Sequence, residues 1–292
     1  MHADEVGTDA GLVRRLVAGQ FPQWAGLPLR RVPSYGTDHA IYRLGDGLAV
    51  RLPRIPSAVK QAAKEAEWLP RFAPQLPLAV PVQLAAGRPG EGYPFIWSVY
   101  EWLPGHDANG SIEDLVQAAS DLAGFVTALH RIDTAGAPPH SPTGRGGPLA
   151  VQHQDVRDAV AQLGGRIDGR AALRSWEESL GAQAWRGPHV WVHGDLLPGN
   201  LLVAGGRLSA IIDFGTLQVG DPACDLQAAW NMFRGPSRAR FLADVGADDA
   251  CWLRGRGTVL YQSVMALAYY WDTNQGMVRQ ASRALAEVLA DS

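Results

Sequence analysis

The sequence predicts an α+β protein in which a small antiparallel sheet with one helix precedes a larger, mostly helical part. Strand-like alternation is concentrated in about the first hundred residues, whereas helical periodicity dominates after Ala223. The turn Leu103-Pro104-Gly105 separates the two patterns. We therefore expect two domains, residues 1–102 and residues 103–292, that meet at this turn.

The first domain contains the segments of a sheet. Strands are predicted over 27–33, 40–44 and 48–52, with Gly36 and the Asp46-Gly47 pair in the turns. Apolar residues at helical spacing predict a helix from Ala58 to Leu69, which Pro70 ends or kinks. Two further strands are predicted over 81–84 and 94–99.

The second domain is predicted to be mainly helical. Ser111 is a favourable N-cap for a long helix, and Asp114 follows three residues later as in a capping box. The Gly- and Pro-rich stretch from Thr134 to Pro148 is predicted to be a loop. Short strands are expected over 190–192, 201–203 and 210–212, and the chain from Ala223 onward is predicted to be helical.

Composition excludes several classes of protein. Of the 292 residues 47% are hydrophobic and 19% are charged, and the net charge of −3 does not indicate a nucleic-acid surface. We find no apolar run of the roughly 20 residues that a membrane span needs. The polar start Met-His-Ala-Asp-Glu does not resemble a secretory signal, and Cys224 and Cys251 lack metal-ligand spacing. We expect a cytoplasmic protein, a monomer or a homodimer, whose partner is a small molecule.

The most informative segment runs from Val190 to Gly215. A predicted strand leads into Asp195, a tight Pro-Gly loop leads to Asn200, and a predicted hairpin ends at Asp213. A phosphoryl-transfer site needs two oxygen ligands for Mg²⁺ and a carboxylate that takes the proton of the acceptor. These three side chains supply that set if the hairpin brings them together. The alternative is a hairpin whose Asp and Asn residues serve only its turns.

The pattern H-x-D-x-x-x-x-N followed by Asp-Phe-Gly is similar to the catalytic and metal-binding loops of protein kinases, and the form H-G-D-L-x-P-G-N resembles the aminoglycoside phosphotransferase family. The resemblance implies a protein-kinase-like two-lobed fold, with Asp195 as catalytic base and with Asn200 and Asp213 holding Mg²⁺. It also implies that His193 braces the backbone. Asp225 resembles a family residue that tethers the catalytic loop, although an ordinary helix-terminus carboxylate is the alternative.

The same resemblance assigns the nucleotide, ATP or GTP, to the first domain. Arg51 stands where the kinase pattern has a lysine, in a V-R-x-P-R form that bacterial relatives share, and Glu65, or alternatively Glu67, is its expected partner. The remaining expected contacts are a loop over the phosphates and the segment that joins the two domains, and they comprise Gly36, Thr37, Asp38, Tyr100, Glu101 and Leu103.

The acceptor is expected to contact the second domain. Acidic and arginine residues after Gly215 are nearly balanced, which does not favour a polycation. We expect acceptor contacts from Trp230, Trp271 and Asp272, with core packing as the alternative for the aromatic residues.

The function predicted is Mg²⁺-dependent transfer of a γ-phosphate to a hydroxyl of an antibiotic, such as an aminoglycoside, a macrolide or another natural product. A metabolite kinase, a protein kinase and a catalytically silent nucleotide-binding module are the alternatives.

Overall fold

The computed structural model describes residues 5–33, 38–109 and 112–291. The chain divides into two compact units. The first comprises Met1–Pro74, Ala79–Pro104 and Ala210–Gly215, and the second comprises Gln75–Leu78, Gly105–Ser209 and Thr216–Ser292. Across the described ranges, no helix combines the length and the apolar character needed to cross a membrane.

The first unit is built on a five-stranded antiparallel sheet. Its strands, in chain order, are β1 (Leu29–Arg31), β2 (His39–Leu44), β3 (Leu48–Pro53), β4 (Gln83–Gly87) and β5 (Trp97–Glu101). They are arranged in the order β1-β2-β3-β5-β4. A short turn at Gly45 (φ 61°) joins β2 to β3. In the register of this hairpin Arg51 pairs with Ile41, so a local turn sets the position of Arg51 in the sheet.

Two α-helices accompany this sheet, α1 (Ala10–Gln20) and α2 (Pro56–Phe72). Sequence analysis did not predict α1, although Asp9 caps it by accepting a hydrogen bond from the Leu12 backbone N–H at 2.7 Å. Helix α2 is longer than predicted and continues through Pro70. Proline there removes one intrahelical hydrogen bond close to the end of the helix, and this loss does not stop the last turn from forming.

Large aromatic residues form the core of the first unit. Tyr42, Tyr93 and Trp97 are at most 1% exposed, and Val13 of α1 packs into the same cluster. Gly87 faces Trp97 across the β4–β5 pair, and a Cβ atom at Gly87 would come within 2.0 Å of the indole ring. The indole therefore occupies the space that any larger residue at position 87 would need.

The second unit is mainly helical, as predicted. Its helices are α3 (Leu115–Arg131), α4 (His153–Leu163), α5 (Gly169–Leu180), α6 (Ala228–Asn231), α7 (Pro236–Val245), α8 (Asp249–Tyr270) and α9 (Gln275–Ala290). Its short strands are β6 (His106–Asp107), β7 (Val190–Val192), β8 (Leu201–Ala204), β9 (Arg207–Ile211) and β10 (Gln218–Gly220). Strand β7 pairs with β10, whereas β6, β8 and β9 form a separate sheet. The last residues of β9 belong to the first unit.

The predicted α+β class is confirmed, with an antiparallel sheet first and helices after it. Two details differ. Ser111 lies outside the described residues, and α3 instead begins after Asp114, whose side chain accepts hydrogen bonds from the backbone of Val116 and Gln117. Helices α4 and α5 were not predicted. The stretch from Thr134 to Pro148 contains no helix or strand, as the Gly and Pro content indicated.

Candidate active site

The segment after β7 brings Asp195 and Asn200 together in the second unit. The backbone N–H of Leu197 donates to the Asp195 carbonyl oxygen, and a 3₁₀ turn over Pro198–Asn200 reverses the chain. The Asn200 side-chain Nδ2 then donates to the Asp195 carbonyl oxygen and to its Oδ2, both at 2.9 Å. These bonds fix the orientation of the carboxylate, which keeps 24% of its surface exposed.

Asp225 anchors the same loop from within the protein. It is fully buried and accepts backbone hydrogen bonds from His193 (3.0 Å) and Gly194 (2.8 Å). His130 Nε2 lies 3.1 Å from its Oδ2, and Gln227 Nε2 donates to the Gly194 carbonyl oxygen. Hydrogen-bonded partners offset the cost of burying this carboxylate. Asp225 thus makes the contacts expected of a tether.

The His193 ring is buried and takes part in backbone hydrogen bonding. Its Nδ1 accepts from the Asp195 backbone N–H at 3.1 Å, so in this geometry a neutral ring carries its proton on Nε2. The His193 carbonyl oxygen accepts from Thr216 Oγ1 at 2.6 Å. These contacts brace the loop that carries Asp195.

Arg145, which was not among the predicted site residues, approaches Asp195 from the long loop. Its Nη2 lies 3.9 Å from Asp195 Oδ1. Gly194 has a φ of 77°, and a Cβ there would come within 2.7 Å of the Arg145 side chain. The sequence did carry a signal for Arg145 as a site residue. It is the one charged residue in the run Thr-Gly-Arg-Gly-Gly-Pro, which lies in a long loop without regular structure.

In the first unit, Arg51 joins two carboxylates. It forms an ion pair with Glu65, and its Nη2 lies 3.2 Å from Asp213 Oδ1. Glu65 is 2% exposed, while Asp213 is 50% exposed. Burial alone would lower the pKa of Arg51, but the two carboxylates hold it above its ordinary value. Burial raises the pKa of Glu65, and Arg51 opposes this rise. The alternative partner, Glu67, is exposed.

Replacing Glu65 with glutamine is expected to lower the free energy of unfolding by about 3 kcal/mol, because it leaves a buried guanidinium without its main counter-charge. Urea denaturation monitored by circular dichroism measures this loss. Glu67→Gln, on the same helix, is the control and should stay within about 0.5 kcal/mol of wild type. Equal losses in the two variants would contradict the assignment of Glu65 as the structural partner.

His39 lies next to the same cluster, with Nδ1 3.2 Å from Arg51 Nη2. Burial, reinforced by the Arg51 charge, lowers its pKa to about 3. The native state therefore holds a neutral His39, whereas the unfolded chain binds a proton below a pH of about 6.5. Acid thus favours the unfolded state, and this contribution to stability falls as the pH drops from about 6.5 towards 3.

The His39→Gln variant, which lacks an ionisable imidazole, is expected to lose less stability than wild type between pH 7 and pH 5. The difference should be at most about 1.4 kcal/mol per pH unit below 6.5. Urea unfolding at both pH values measures it. Parallel pH profiles for the two proteins would contradict the assignment of His39 as neutral in the native state.

Asp213 has a left-handed backbone, with φ 62°. This conformation costs energy for a residue other than glycine, and Asp and Asn tolerate it best. Two residues later, the carbonyl oxygen of Gly215 accepts a hydrogen bond from Lys64 Nζ at 2.9 Å. Burial lowers the pKa of Lys64. Helix α2 thus contacts the Asp-Phe-Gly segment and also supplies Glu65.

The other expected nucleotide contacts are only partly described. Gly36 and Thr37 lie outside the described residues, whereas Asp38 precedes β2 and is half-buried. Tyr100 is buried at 4% exposure. The Leu103 backbone N–H has no hydrogen-bond partner among the described residues.

Among the residues expected to contact the acceptor, Trp230 is a correction. It is 1% exposed, stacks on Trp252 with ring centroids 4.1 Å apart, and its Nε1 donates to Asp291 at 2.8 Å. It therefore packs in the core, as do the other residues of the short helix α6, all of which are buried. Trp271 is half-buried beneath the Arg166 guanidinium, and Asp272 is exposed.

The proposed metal ligands have suitable chemistry. Asn200 Nδ2 donates its hydrogen bonds to Asp195. Asn200 Oδ1 has no hydrogen-bond partner within the described ranges and can therefore accept a ligand. Asp213 offers a half-exposed carboxylate. An amide oxygen and a carboxylate are each ligand types that suit Mg²⁺, which takes few protein oxygens and completes its shell with phosphates and water.

Residues 30–259 match the model of the phosphotransferase enzyme family, APH. The GDP complex of aminoglycoside 2'-phosphotransferase-IIIa is 18% identical, with a TM-score of 0.77 over 97% of this chain and 99% of that one. The macrolide 2'-phosphotransferase MphH from Brachybacterium faecium is 25% identical, with a TM-score of 0.63 over 96% and 97%.

Among curated proteins, the uncharacterized protein YcbJ of Bacillus subtilis (strain 168) is 24% identical over 211 residues. The match covers 66% of this chain and 65% of the length of that relative. The family model, by contrast, spans well over half of the chain and includes Arg51, Glu65, Asp195, Asn200 and Asp213. The chain belongs to the phosphotransferase enzyme family.

Proposed function

We propose that this protein transfers the γ-phosphate of ATP or GTP to a hydroxyl group of a small molecule, with antibiotics and related natural products as the acceptor class. The observation that carries the proposal is the pair of hydrogen bonds from Asn200 to Asp195, which orients a partly exposed carboxylate beside a candidate metal ligand. The match to the phosphotransferase family over residues 30–259 supports it.

In the proposed reaction, Asp195 accepts the proton of the acceptor hydroxyl. The hydroxyl oxygen forms a bond to the γ-phosphorus, and the bond between that phosphorus and the β,γ-bridging oxygen breaks. The products are a phosphate ester and a nucleoside diphosphate, and the proton passes from Asp195 to solvent. Asn200 keeps the carboxylate in the orientation needed for this transfer.

Asn200 Oδ1 and the Asp213 carboxylate are the groups that we propose hold Mg²⁺. When bound, the ion neutralises charge on the β- and γ-phosphates. Arg51 supplies a permanent positive charge for the phosphates, and Glu65 keeps its guanidinium in place. A lysine in this position has one compact ammonium group, whereas arginine offers several N–H donors in a plane.

For the donor, we propose that residues 1–102 bind the nucleotide, while residues 103–292 carry the base and the acceptor. Gly36, Thr37 and Asp38 belong to the proposed phosphate loop. Tyr100 and the backbone of Glu101 and Leu103 are the proposed contacts of the purine. Structures of similar proteins were determined with GDP and with ADP, which supports a purine nucleotide as donor. Because such donors are abundant in the cytoplasm, we propose that the protein acts there.

A nucleotide-consumption screen tests this function. The purified chain is incubated with ATP or GTP and magnesium, in the presence of macrolides, aminoglycosides, nucleoside antibiotics and small amino alcohols. We expect at least one acceptor to raise nucleoside diphosphate release well above the rate with water alone, and EDTA to abolish the increase. Magnesium-dependent nucleotide binding without transfer to any hydroxyl compound would favour a silent binding module instead.

A further inference from the structure

The backbone of the loop at Arg145 is held in place by hydrogen bonds to neighbouring residues. The Gln218 side chain donates a hydrogen bond to the Arg145 carbonyl oxygen, and the Asp221 backbone N–H donates to Gly146 at 2.9 Å. Nearby, His140 Nδ1 contacts the carbonyl oxygen of Val219 at 2.7 Å. The loop is therefore attached to β10 on both sides of Arg145.

The loop also depends on glycines around Arg145. A Cβ on Gly147 would approach the Pro142 carbonyl oxygen to 2.1 Å, and Gly146 has a φ of 73°. Gly194, beside Asp195, has no Cβ that would block the Arg145 stem. The Arg145 side chain can therefore lie next to Asp195, the proposed base, because the neighbouring residue Gly194 has no side chain.

The side chain of Arg145 is 31% exposed, and within the described part of the chain Asp195 is its only ion-pair partner. At 3.9 Å this contact is too long for a direct hydrogen bond. The guanidinium therefore has N–H donors left for another oxygen-bearing group. An acceptor whose hydroxyl reaches Asp195 must approach this cation.

Some of the other carboxylates of the second unit are neutralised by arginines of the same unit. Six of them besides Asp195 pair with arginines within the described residues, namely Asp121, Glu178, Asp221, Asp244, Glu287 and Asp291. Asp155 on α4 is exposed, and its charge acts on Tyr261 together with that of Arg145.

We infer that Arg145 determines acceptor specificity, excluding polycationic acceptors and favouring neutral or anionic hydroxyl compounds. This inference rests on the proposed function and narrows its substrate class. A polycation bound against Asp195 would bring several ammonium groups close to the Arg145 guanidinium, which lies 3.9 Å from that carboxylate. Like charges this close to one another repel. An acceptor with a carboxylate, phosphate or carbonyl oxygen near its reactive hydroxyl would instead accept hydrogen bonds from Arg145.

Isothermal titration with kanamycin, used as a polycationic probe, tests the inference at about 0.15 M salt, where exposed charges are screened beyond roughly 8 Å. For wild type we expect a Kd weaker than ~1 mM, and for Arg145→Glu a Kd at least about tenfold tighter. Arg145→Lys should bind like wild type because it keeps the charge. Arg279→Glu, an exposed residue of α9, is the matched control and should change the Kd less than about twofold.

Thermal melting monitored by circular dichroism checks that each variant is folded. If Arg145→Glu does not fold, Arg145→Gln replaces it, with an expected tightening of at least about threefold. Kanamycin binding by wild type with a Kd below ~0.1 mM, or no tightening in the Arg145 variants, overturns the inference.

The consumption screen separates this inference from the proposed function. If the chain transfers phosphate and kanamycin is its best acceptor, the inference fails and the function stands. If no hydroxyl compound receives phosphate, the function fails, while the titration still decides the effect of Arg145 on polycation binding.

Discussion

Replacing Asp195 with alanine is expected to lower kcat for phosphoryl transfer at least about a hundredfold, with little change in nucleotide affinity. The carboxylate is the proposed proton acceptor, and Asn200 orients it through two hydrogen bonds of 2.9 Å. Because the side chain is partly exposed and lies outside the core, the variant should fold. Initial rates at saturating nucleotide and acceptor measure the loss, and nucleotide titration measures affinity.

Two further variants define the cause of that loss. Asp195→Asn keeps the size and the hydrogen bond with Asn200 but is a far weaker base, so its kcat should fall as in the alanine variant. Asp249→Ala, an exposed carboxylate in the first turn of α8, is the control and should retain wild-type turnover. Near-wild-type kcat in either Asp195 variant would contradict its role as the base.

The second large effect is expected for Asp213→Asn. Asparagine tolerates the left-handed backbone at this position, so the substitution removes the charge with little added strain. We expect kcat/KM at low magnesium to fall at least about a hundredfold. Loss of a residue that only hydrogen-bonds to a metal ligand already lowers activity by about 10- to 100-fold, and loss of a ligand itself should lower activity at least as much. Raising the magnesium concentration should recover part of the rate.

The measurement is the initial rate as a function of magnesium concentration. The apparent magnesium affinity should weaken in Asp213→Asn and remain unchanged in Asp46→Asn, a carboxylate that is almost fully exposed in the β2–β3 turn. A magnesium dependence identical to that of wild type would contradict Asp213 as a ligand. Because Asp213 also pairs with Arg51, nucleotide affinity should be measured separately.

The parts of the site that depend on local sequence were predictable. Asp195 and Asn200 are five residues apart, and a short turn of this length leaves few ways to arrange them. The expected pairing of Arg51 with Glu65 is also seen, since a strand followed by a helix brings these positions together. What their geometry does in catalysis remains part of the proposal.

The missed features depend on contacts between distant segments. Arg145 and Asp195 are far apart in sequence, and their proximity arises only when the glycine-rich loop attaches to β10. Asp213 contacts Arg51 across 162 residues, because the chain after β9 returns to the first unit. Sequence patterns report secondary structure but carry little information on such long-range approaches.

Aromatic residues show a second limit of sequence reasoning. Trp230 lies in the short helix α6 and Trp271 directly follows α8, and the first is buried whereas the second is half-buried. Helical spacing indicates a common face but does not say whether that face meets the core or a ligand. Helix α1, by contrast, could have been predicted from the sequence. Asp9 is a favourable N-cap, and the apolar residues after Gly11 indicate a helix.

The most direct measurement of the central claim is ³¹P NMR of a reaction that contains the chain, ATP or GTP, magnesium and an acceptor found in the screen. We predict a new phosphate monoester resonance that grows in step with the nucleoside diphosphate and is missing when Asp195→Ala replaces wild type. A monoester that forms equally fast with Asp195→Ala, or inorganic phosphate as the only product with every acceptor, would contradict transfer to a hydroxyl directed by Asp195.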